Sequence, residues 1–431
     1  MIKEISVKSL KPGMYIEDMC TSWVNHPFVT KKKLIKSAAE IELIKKYGIM
    51  TVKINVERGI DVAESIDDLD ASKIASGISK SPASTEGKAG AAGSPSEETP
   101  AKSAILLSAM PVPASDPVPL GREMENVKAV YNDTLKNIRS FIEQTQKQVP
   151  LNFEEVSENV DELIKSVYRN RSAAATLIKL KAYDEYTYTH SVNVCVLSLT
   201  LGRTLGLSKA ALKHLGMGAI FHDLGKVAIP GHILNKPGRL TEEEFEVMKM
   251  HPVLTTKLLK NSNQLSSHSL ECALSHHEKY GGLGYPQGLK GDQIPLLARI
   301  VSLADVYDAL TSDRVYRAGM PLHAAVKIMY GNREDHFDPD LLGSFIKCVG
   351  VYPIASMVKL NTGEVGLVVD INPEKLLKPQ VLILFDSNQK PVSKKEVLNL
   401  AKERVVLGGR SRSIVDIDVP EKWGINPADY L

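Results

Sequence analysis

Apolar positions along this chain follow three rhythms in turn. Near the start the period is short: Ile5, Val7 and Leu10 lead into Lys11-Pro12-Gly13-Met14, a turn signal, and Met14-Tyr15-Ile16 opens a strand. Across residues 34–47, Leu34, Ile35, Ala38, Ile41 and Ile44 recur at helical spacing, with Gly48 as the stop. Thr51-Val52-Lys53-Ile54-Asn55-Val56 then alternates as a half-buried strand does. Together these predict a small mixed α/β module over residues 1–66. Residues 67–120 lose the rhythm and turn rich in Ala, Ser, Gly, Pro and Glu, as in Ser81-Pro82-Ala83-Ser84. Such a composition buries too little apolar surface to offset chain entropy, so a flexible linker is expected there.

The second rhythm is helical and runs through residues 121–350. Met124, Val127, Val130, Tyr131, Ile138 and Ile142 fall on one stripe, as in a helix leading into a bundle. Thr241-Glu242-Glu243-Glu244 reads as a capping box opening the helix that carries His251, and Asp338-Pro339 starts a last helix with proline at its first position. The third rhythm is again short. Met357-Val358-Lys359-Leu360, Gly366-Leu367-Val368-Val369 and Val381-Leu382-Ile383-Leu384 predict strands, separated by Asn361-Thr362-Gly363 and Asn372-Pro373 turns, in a β-rich extension over 351–431. The fold class expected is mainly α, a helical bundle core with a small α/β N-terminal domain and a β-rich C-terminal extension.

Composition narrows the setting. A chain of 431 residues, 43% apolar, can bury a real core and suggests more than one domain. Its 53 basic and 51 acidic residues leave a formal charge of +2, which offers no general pull toward nucleic acid or membrane. Cys20, Cys195, Cys272 and Cys348 are scattered and form no CxxC pair, as expected of reduced, buried thiols. Met1-Ile2-Lys3-Glu4-Ile5 lacks the apolar run of a secretory signal, and no stretch approaches the roughly 20 apolar residues of a membrane span. A cytoplasmic protein is expected, with no nucleic-acid partner and no membrane span.

The chemistry is concentrated in a few motifs. Phe221-His222-Asp223-Leu224-Gly225-Lys226 is followed by His251 before Pro252, then by His276-His277-Glu278-Lys279-Tyr280-Gly281-Gly282-Leu283-Gly284-Tyr285-Pro286, then by Leu303-Ala304-Asp305-Val306-Tyr307-Asp308. A lone histidine on an apolar helix is usually a satisfied core residue. Adjacent histidines and a His-Asp pair argue against that here. Neighbours on a helix lie about 100° apart, so His276 and His277 share a pocket only if it holds more than one centre or wraps around one. Imidazole and carboxylate donors without thiolates suit Fe, Mn, Zn or Ni in a catalytic setting, not a structural zinc site. A carboxylate such as Asp223 can bridge two cations, and metals roughly 3.5–4 Å apart stabilise both oxygens of a phosphodiester displacement. A metal-dependent phosphohydrolase is the chemistry these donors suggest.

The order and local context of these motifs resemble the HD-GYP family, over about residues 121–350. The first module resembles the small N-terminal domain of unknown function often attached to it. The resemblance implies an HD-type catalytic core in which His190, His222, Asp223, His251, His276, His277 and Asp305 bind metal. It implies two divalent transition metals, Fe or Mn, over three: a third calls for Glu four residues before His190, where this chain has Tyr186, with Glu185 one residue further back. Asp223 and Lys226 are the implied catalytic residues, and Lys226, Gly284, Tyr285, Pro286, Arg314 and Arg317 the implied substrate contacts. Asp308, one turn after Asp305, would orient a ligand. Gly281 stands where the family's loop often carries an acidic residue, a departure that touches no implied ligand. The activity implied is hydrolysis of cyclic di-GMP in bacterial second-messenger signalling, ending at pGpG or going on to GMP, with GGDEF-domain or other signalling proteins as partners. Two alternatives stay open: a non-catalytic cyclic di-GMP receptor, and an HD-type nucleotidase or nuclease acting on another phosphate ester. In the first module, Trp23, His26, Pro27 and Phe28 form either ordinary packing or a ligand or partner surface.

Overall fold

A computed structural model describes residues 2–18, 33–35, 38–46, 49–59, 117–147, 149–180, 186–260, 264–313, 319–403 and 411–431. They divide into two units, within 1–98 and within 99–431. Cys20, Trp23, His26, Pro27, Phe28, Glu185, Arg314, Arg317 and nearly all of the expected linker lie outside the described residues.

The first unit is an antiparallel sheet of β1 (Ile2–Ser6), β2 (Tyr15–Asp18), β3 (Lys33–Leu34) and β4 (Thr51–Asn55), in the order β1-β4-β2-β3. In β4, Val52 and Ile54 are buried while Thr51 and Lys53 face out, the alternation read from the sequence. Helix α1 (Ala38–Lys46) supplies Ile41 and Ile44 to a core shared with Val7, Leu10, Met14 and Ile16. It begins four residues later than its apolar pattern, because Lys33 and Leu34 pair with β2.

The second unit is mainly α. Its first helix, α2 (Leu120–Gln146), lies beside α3 (Phe153–Arg169), which Asn152 caps by accepting from the Glu154 and Glu155 amides. The buried face of α2 corrects the expected stripe. Val127, Tyr131 and Ile138 are buried as expected, but Glu123, Thr134 and Phe141 accompany them, whereas Met124, Val130 and Ile142 are half-buried. Glu123 tolerates that position because Arg169 on α3 grips its carboxylate with two bonds, Nε at 2.7 Å and Nη2 at 2.9 Å. After α4 (Ala173–Leu180) comes α5 (Tyr186–Thr204), whose buried surface runs unbroken from Thr189 to Arg203. A helix buried all round carries little amphipathic signal. It packs against α6 (Lys209–Ile220) and α11 (Leu296–Thr311).

Between these run α7 (Gly231–Leu234), α8 (Glu242–Met248), α9 (His251–Lys260) and α10 (Ser267–Ser275). Thr241 and Glu244 form the expected capping box, but the helix they open ends at Met248 and a separate one starts at His251. Pro252 explains the break: it has no N–H to give the Met248 carbonyl, so the first helix cannot run on through it, while proline is tolerated in the first turn of the next. Helices α12 (Leu322–Gly331) and α13 (Pro339–Val349) complete the bundle, the latter capped by Asp338 with proline first, as expected.

The C-terminal part is a five-stranded antiparallel sheet of β5 (Met357–Leu360), β6 (Val365–Asp370), β7 (Gln380–Phe385), β8 (Pro391–Asn399) and β9 (Ile414–Asp418), in the order β8-β7-β6-β5-β9. The three strands read from the sequence are the central ones. Both edges lacked a signal because an edge strand need not bury a regular face: β8 exposes Ser393, Lys394, Lys395, Glu396 and Val397. No helix among the described residues is long and apolar enough to cross a membrane.

Candidate metal centre

Five segments converge on one buried point. His190 sits in the second turn of α5, and His222-Asp223 follow α6 in a tight turn that becomes a 3-10 helix at Leu224–Ala228. His251 begins α9, His276 caps the end of α10 with His277 next to it, and Asp305 lies within α11. The His276-His277 pair stands just beyond the helix, and the two ring centroids lie 4.0 Å apart.

Local chemistry fixes most of these rings. The Nδ1 of His222 lies 2.6 Å from the Ala219 carbonyl, that of His251 2.8 Å from Met248 and that of His276 2.7 Å from Ala273. Each acceptor is three residues back, at a helix end whose carbonyls have lost their ladder partners. For His251 the freed carbonyl is the one Pro252 cannot serve. With Nδ1–H spent on the backbone, Nε2 of all three is left to face the centre. His190 is held differently, its Nδ1 donating to Asp308 Oδ2 at 2.7 Å.

Asp223 lies between two sets of donors. Its Oδ1 is 3.2 Å from His251 Nε2 and 3.9 Å from His276 Nε2; its Oδ2 is 3.4 Å from His222 Nε2 and 3.6 Å from His190 Nε2. His190 Nε2 is also 3.2 Å from Asp305 Oδ1, and His277 Nδ1 is 3.9 Å from Asp305 Oδ2. The ligand atoms form two groups, Asp223–His251–His276–His277 and His190–His222–Asp305, with the atoms of each group within 4.8 Å of one another. All seven residues proposed from the motifs are thus brought together. Two atoms at the middle, His222 Nε2 and Asp223 Oδ1, are buried without a hydrogen-bond partner. Unsatisfied lone pairs in a dry, donor-lined site fit a cation.

Electrostatics agree with that fit. Burial and the neighbouring imidazoles hold His276 well below the histidine range, and burial takes His277 down to about 3 and lowers His222. These rings are neutral at ordinary pH, the form in which imidazole binds metal. His190 is the exception: burial opposes its charge, but Asp305 and Asp308 accept hydrogen bonds from its two ring nitrogens and raise its value to about 9, so a cation has to displace the Nε2 proton before this ring can ligate. Burial likewise works against both carboxylates, yet Lys226 and His222 hold Asp223 well below the usual range, and His190 and His277 do the same for Asp305.

The surrounding turns explain the glycines. A Cβ on Gly225 would strike the His251 carbonyl and the Thr255 amide, so only glycine lets the His222–Asp223 turn lie against α9. Thr255 clasps the same turn, accepting from Gly225 N at 2.7 Å and donating to the His222 carbonyl at 3.1 Å. Lys226 Nζ donates to Asp223 Oδ2 at 2.5 Å, so this lysine reaches the carboxylate side of the site. In the following loop Gly284 lies against the backbone of Glu278 and Lys279, too close for a Cβ. Tyr285 sets its ring 4.8 Å from that of His277, tilted by 31°, with Pro286 exposed beside it. Glu278, buried, staples the loop by accepting from Gln287 N at 2.7 Å and Leu289 N at 3.0 Å. Sequence reasoning noted Glu278 only as part of the motif. A glutamate beside two candidate ligands and before a glycine-rich turn was the available signal. Gly281 also has a structural role, since a Cβ there would press on the Asp335 carbonyl that its own amide binds at 2.9 Å.

Comparison with known proteins places this arrangement. An HD domain model matches residues 173–341, a domain of unknown function (DUF3391) residues 2–156, and a KOW domain associated with HD domains residues 357–407. A cyclic di-GMP phosphodiesterase of Pseudomonas aeruginosa is 32% identical over 433 aligned residues, covering 100% of this chain and 95% of that protein. The chain belongs to the HD-GYP phosphodiesterase family. Other phosphodiesterases match over shorter stretches of the chain. A cyclic di-GMP phosphodiesterase response regulator of Xanthomonas campestris is 46% identical over 33% of this chain and 38% of its own length. A 3'3'-cGAMP-specific phosphodiesterase of Vibrio cholerae is 37% identical over 40% of this chain and 37% of its own.

Proposed function

We propose that this chain hydrolyses cyclic di-GMP, to pGpG or on to GMP, in the bacterial cytoplasm, using two divalent transition metals, Fe or Mn, at the centre just described. The observation that carries the reading is Asp223, which turns one carboxylate oxygen toward each of two imidazole sets. The full-length similarity to a cyclic di-GMP phosphodiesterase supports the substrate.

His251, His276 and His277 would hold one metal, His190, His222 and Asp305 the other, with Asp223 shared. Bound metals supply Lewis-acid polarisation of the phosphodiester and lower the pKa of water. The chain's own residues do the rest. Lys226, 31% exposed and anchored on Asp223, has the flexible stem and point charge to follow a phosphoryl oxygen as its charge grows. Tyr285, half-buried beside His277, offers its ring to a purine, while Gly284 and Pro286 shape the turn that presents it. Arg314 and Arg317 are assigned from the motif to the phosphate away from the metals, where a guanidinium fork binds two oxygens. The domain reading is 1–66 for regulation or interaction, 67–120 for connection, 121–350 for catalysis and 351–431 for the sheet extension, with GGDEF-domain or other signalling proteins as partners to test.

The deciding experiment is anaerobic purification with metal analysis, followed by product identification after Fe(II) or Mn(II) loading. Cyclic di-GMP and 3'3'-cGAMP are offered side by side. Production of pGpG at two metals per chain is expected. Binding of cyclic di-GMP without turnover by the loaded protein would make it a receptor, and preference for other phosphate esters would make it a nucleotidase.

A further inference from the structure

The ligand His190 differs from the other fixed histidines in how it is oriented. His222, His251 and His276 each use a carbonyl left over at a helix end. His190 lies within α5, where the carbonyls behind it are committed to the helical ladder, so its Nδ1–H has to find a side chain. It finds Asp308, and Asp308 is itself held. Asn193 Nδ2 donates to Asp308 Oδ1 at 2.8 Å, Ser312 Oγ to the same oxygen at 3.1 Å, and Tyr131 Oη to Asn193 Oδ1 at 2.5 Å. The chain crosses three helices, from Tyr131 on α2 through Asn193 on α5 to Asp308 on α11. Tyr131 and Asn193 are 0% exposed and Asp308 is 1% exposed.

From this geometry we propose that Tyr131 and Asn193 are positioning residues for the metal ligand His190, acting through Asp308. The inference rests on the reading of His190 as a ligand. Every donor in the chain points toward the Asp308 carboxylate or toward the amide that serves it. Asp308 is therefore kept as an acceptor, which fixes the proton of His190 on Nδ1 and directs the Nε2 lone pair at the centre. Burying a phenol, an amide and a carboxylate together is costly unless each is satisfied, and apolar side chains would fill a purely structural position more simply. Tyr131 matters because its hydroxyl fixes which way the Asn193 amide faces. With the amide reversed, oxygen would meet oxygen at Asp308.

The test is a double-mutant cycle in the full-length protein, read as Mn(II) affinity by chelator competition and as metal stoichiometry, with the unfolding midpoint of the metal-free protein as control. Asp308→Asn should weaken Mn(II) binding by about 10–100-fold, the usual effect of losing a partner behind a ligating histidine. Tyr131→Phe, which removes only the hydroxyl, should weaken it several-fold. In the Asp308→Asn background, Tyr131→Phe should add little. Asn193→Ala carries the same comparison should Asp308→Asn not fold. Independent, additive losses, or a lowered midpoint with unchanged Mn(II) affinity, would make the network packing and overturn the proposal. His190→Ala separates the two levels. If it leaves Mn(II) binding intact, His190 is no ligand; if it weakens binding while Tyr131→Phe and Asp308→Asn do not, only the positioning role fails.

Discussion

At the scale of single residues, Asp223 faces two imidazoles with each of its carboxylate oxygens, so its loss should cost more than the loss of a single histidine. Asp223→Ala is expected to lower hydrolysis by more than about 10²-fold, since partners behind the ligands alone cost 10–100-fold. Metal content should fall with it. Turnover and metal content both near wild type would take Asp223 out of the centre. Arg314 tests the substrate side. Arg314→Ala should weaken cyclic di-GMP binding by about 1.5–3 kcal/mol, the scale of a hydrogen bond to a charged group, with metal content unchanged. Lysine at that position should restore only part of the loss, because it returns the charge without the fork. Equal losses on cyclic di-GMP and on bis-p-nitrophenyl phosphate would move Arg314 to the scissile phosphate.

At the scale of elements, close backbone approach and one buried ion pair set the arrangement. The loop after α10 folds back on Glu278 and Lys279 at Gly284. Gly284→Ala forces that backbone apart, at about 1–3 kcal/mol, and should displace Tyr285. Cyclic di-GMP hydrolysis is expected to drop while both metals stay bound. Loss of metal instead would show that the loop supports the ligands themselves. Between α2 and α3, burial opposes ionisation of Glu123, but the hydrogen bonds from Arg169 override it and keep the carboxyl below the ordinary glutamate value. With the folded pKa depressed, the stabilisation is complete above the unfolded value of about 4.5 and is lost as pH falls through the folded value. Glu123→Gln should cost about 1.5–3 kcal/mol at pH 7, less than a fully buried pair because Arg169 keeps 35% of its side chain in water. Urea unfolding at pH 7 and at pH 4 checks this: the gap between wild type and variant should narrow at the lower pH, and a constant gap would discount the ion pair.

At the scale of the second unit, the last residues of the chain are part of the sheet's packing. Trp423, Ile425, Tyr430 and Leu431 pack on Met357, Val365, Leu367 and Leu384, on the opposite side from the cluster around Val358, Val368 and Val381. Ending the chain after Asp418 should destabilise the sheet by about 3–6 kcal/mol through lost apolar burial. The proposed metal ligands lie between His190 and Asp305, outside the sheet, so metal content should be unchanged. A truncated protein that loses its metals would mean that the extension supports the catalytic bundle.

The motifs, read through their resemblance to the HD-GYP family, named the seven donor residues that the fold brings together, because donor type and local context are properties of the chain itself. The α/β–α–β sequence of elements was equally legible wherever one face of a helix or strand is buried and the other is wet. Edge strands β8 and β9 escaped because their partners lie on one side only, and the burial of Glu123 escaped because its cost is cancelled by Arg169, 46 residues away. Glu278 was visible as a residue but not as a staple, since its partners Gln287 and Leu289 acquire meaning only when the loop closes. Local sequence thus determined which atoms can bind and which segments coil or extend. Tertiary structure alone decided how those atoms face one another: that Asp223 stands between two imidazole sets, and that His190 is aimed by side chains from three helices. Such orientation depends on contacts between residues far apart in the chain, and periodicity along the chain carries no record of them.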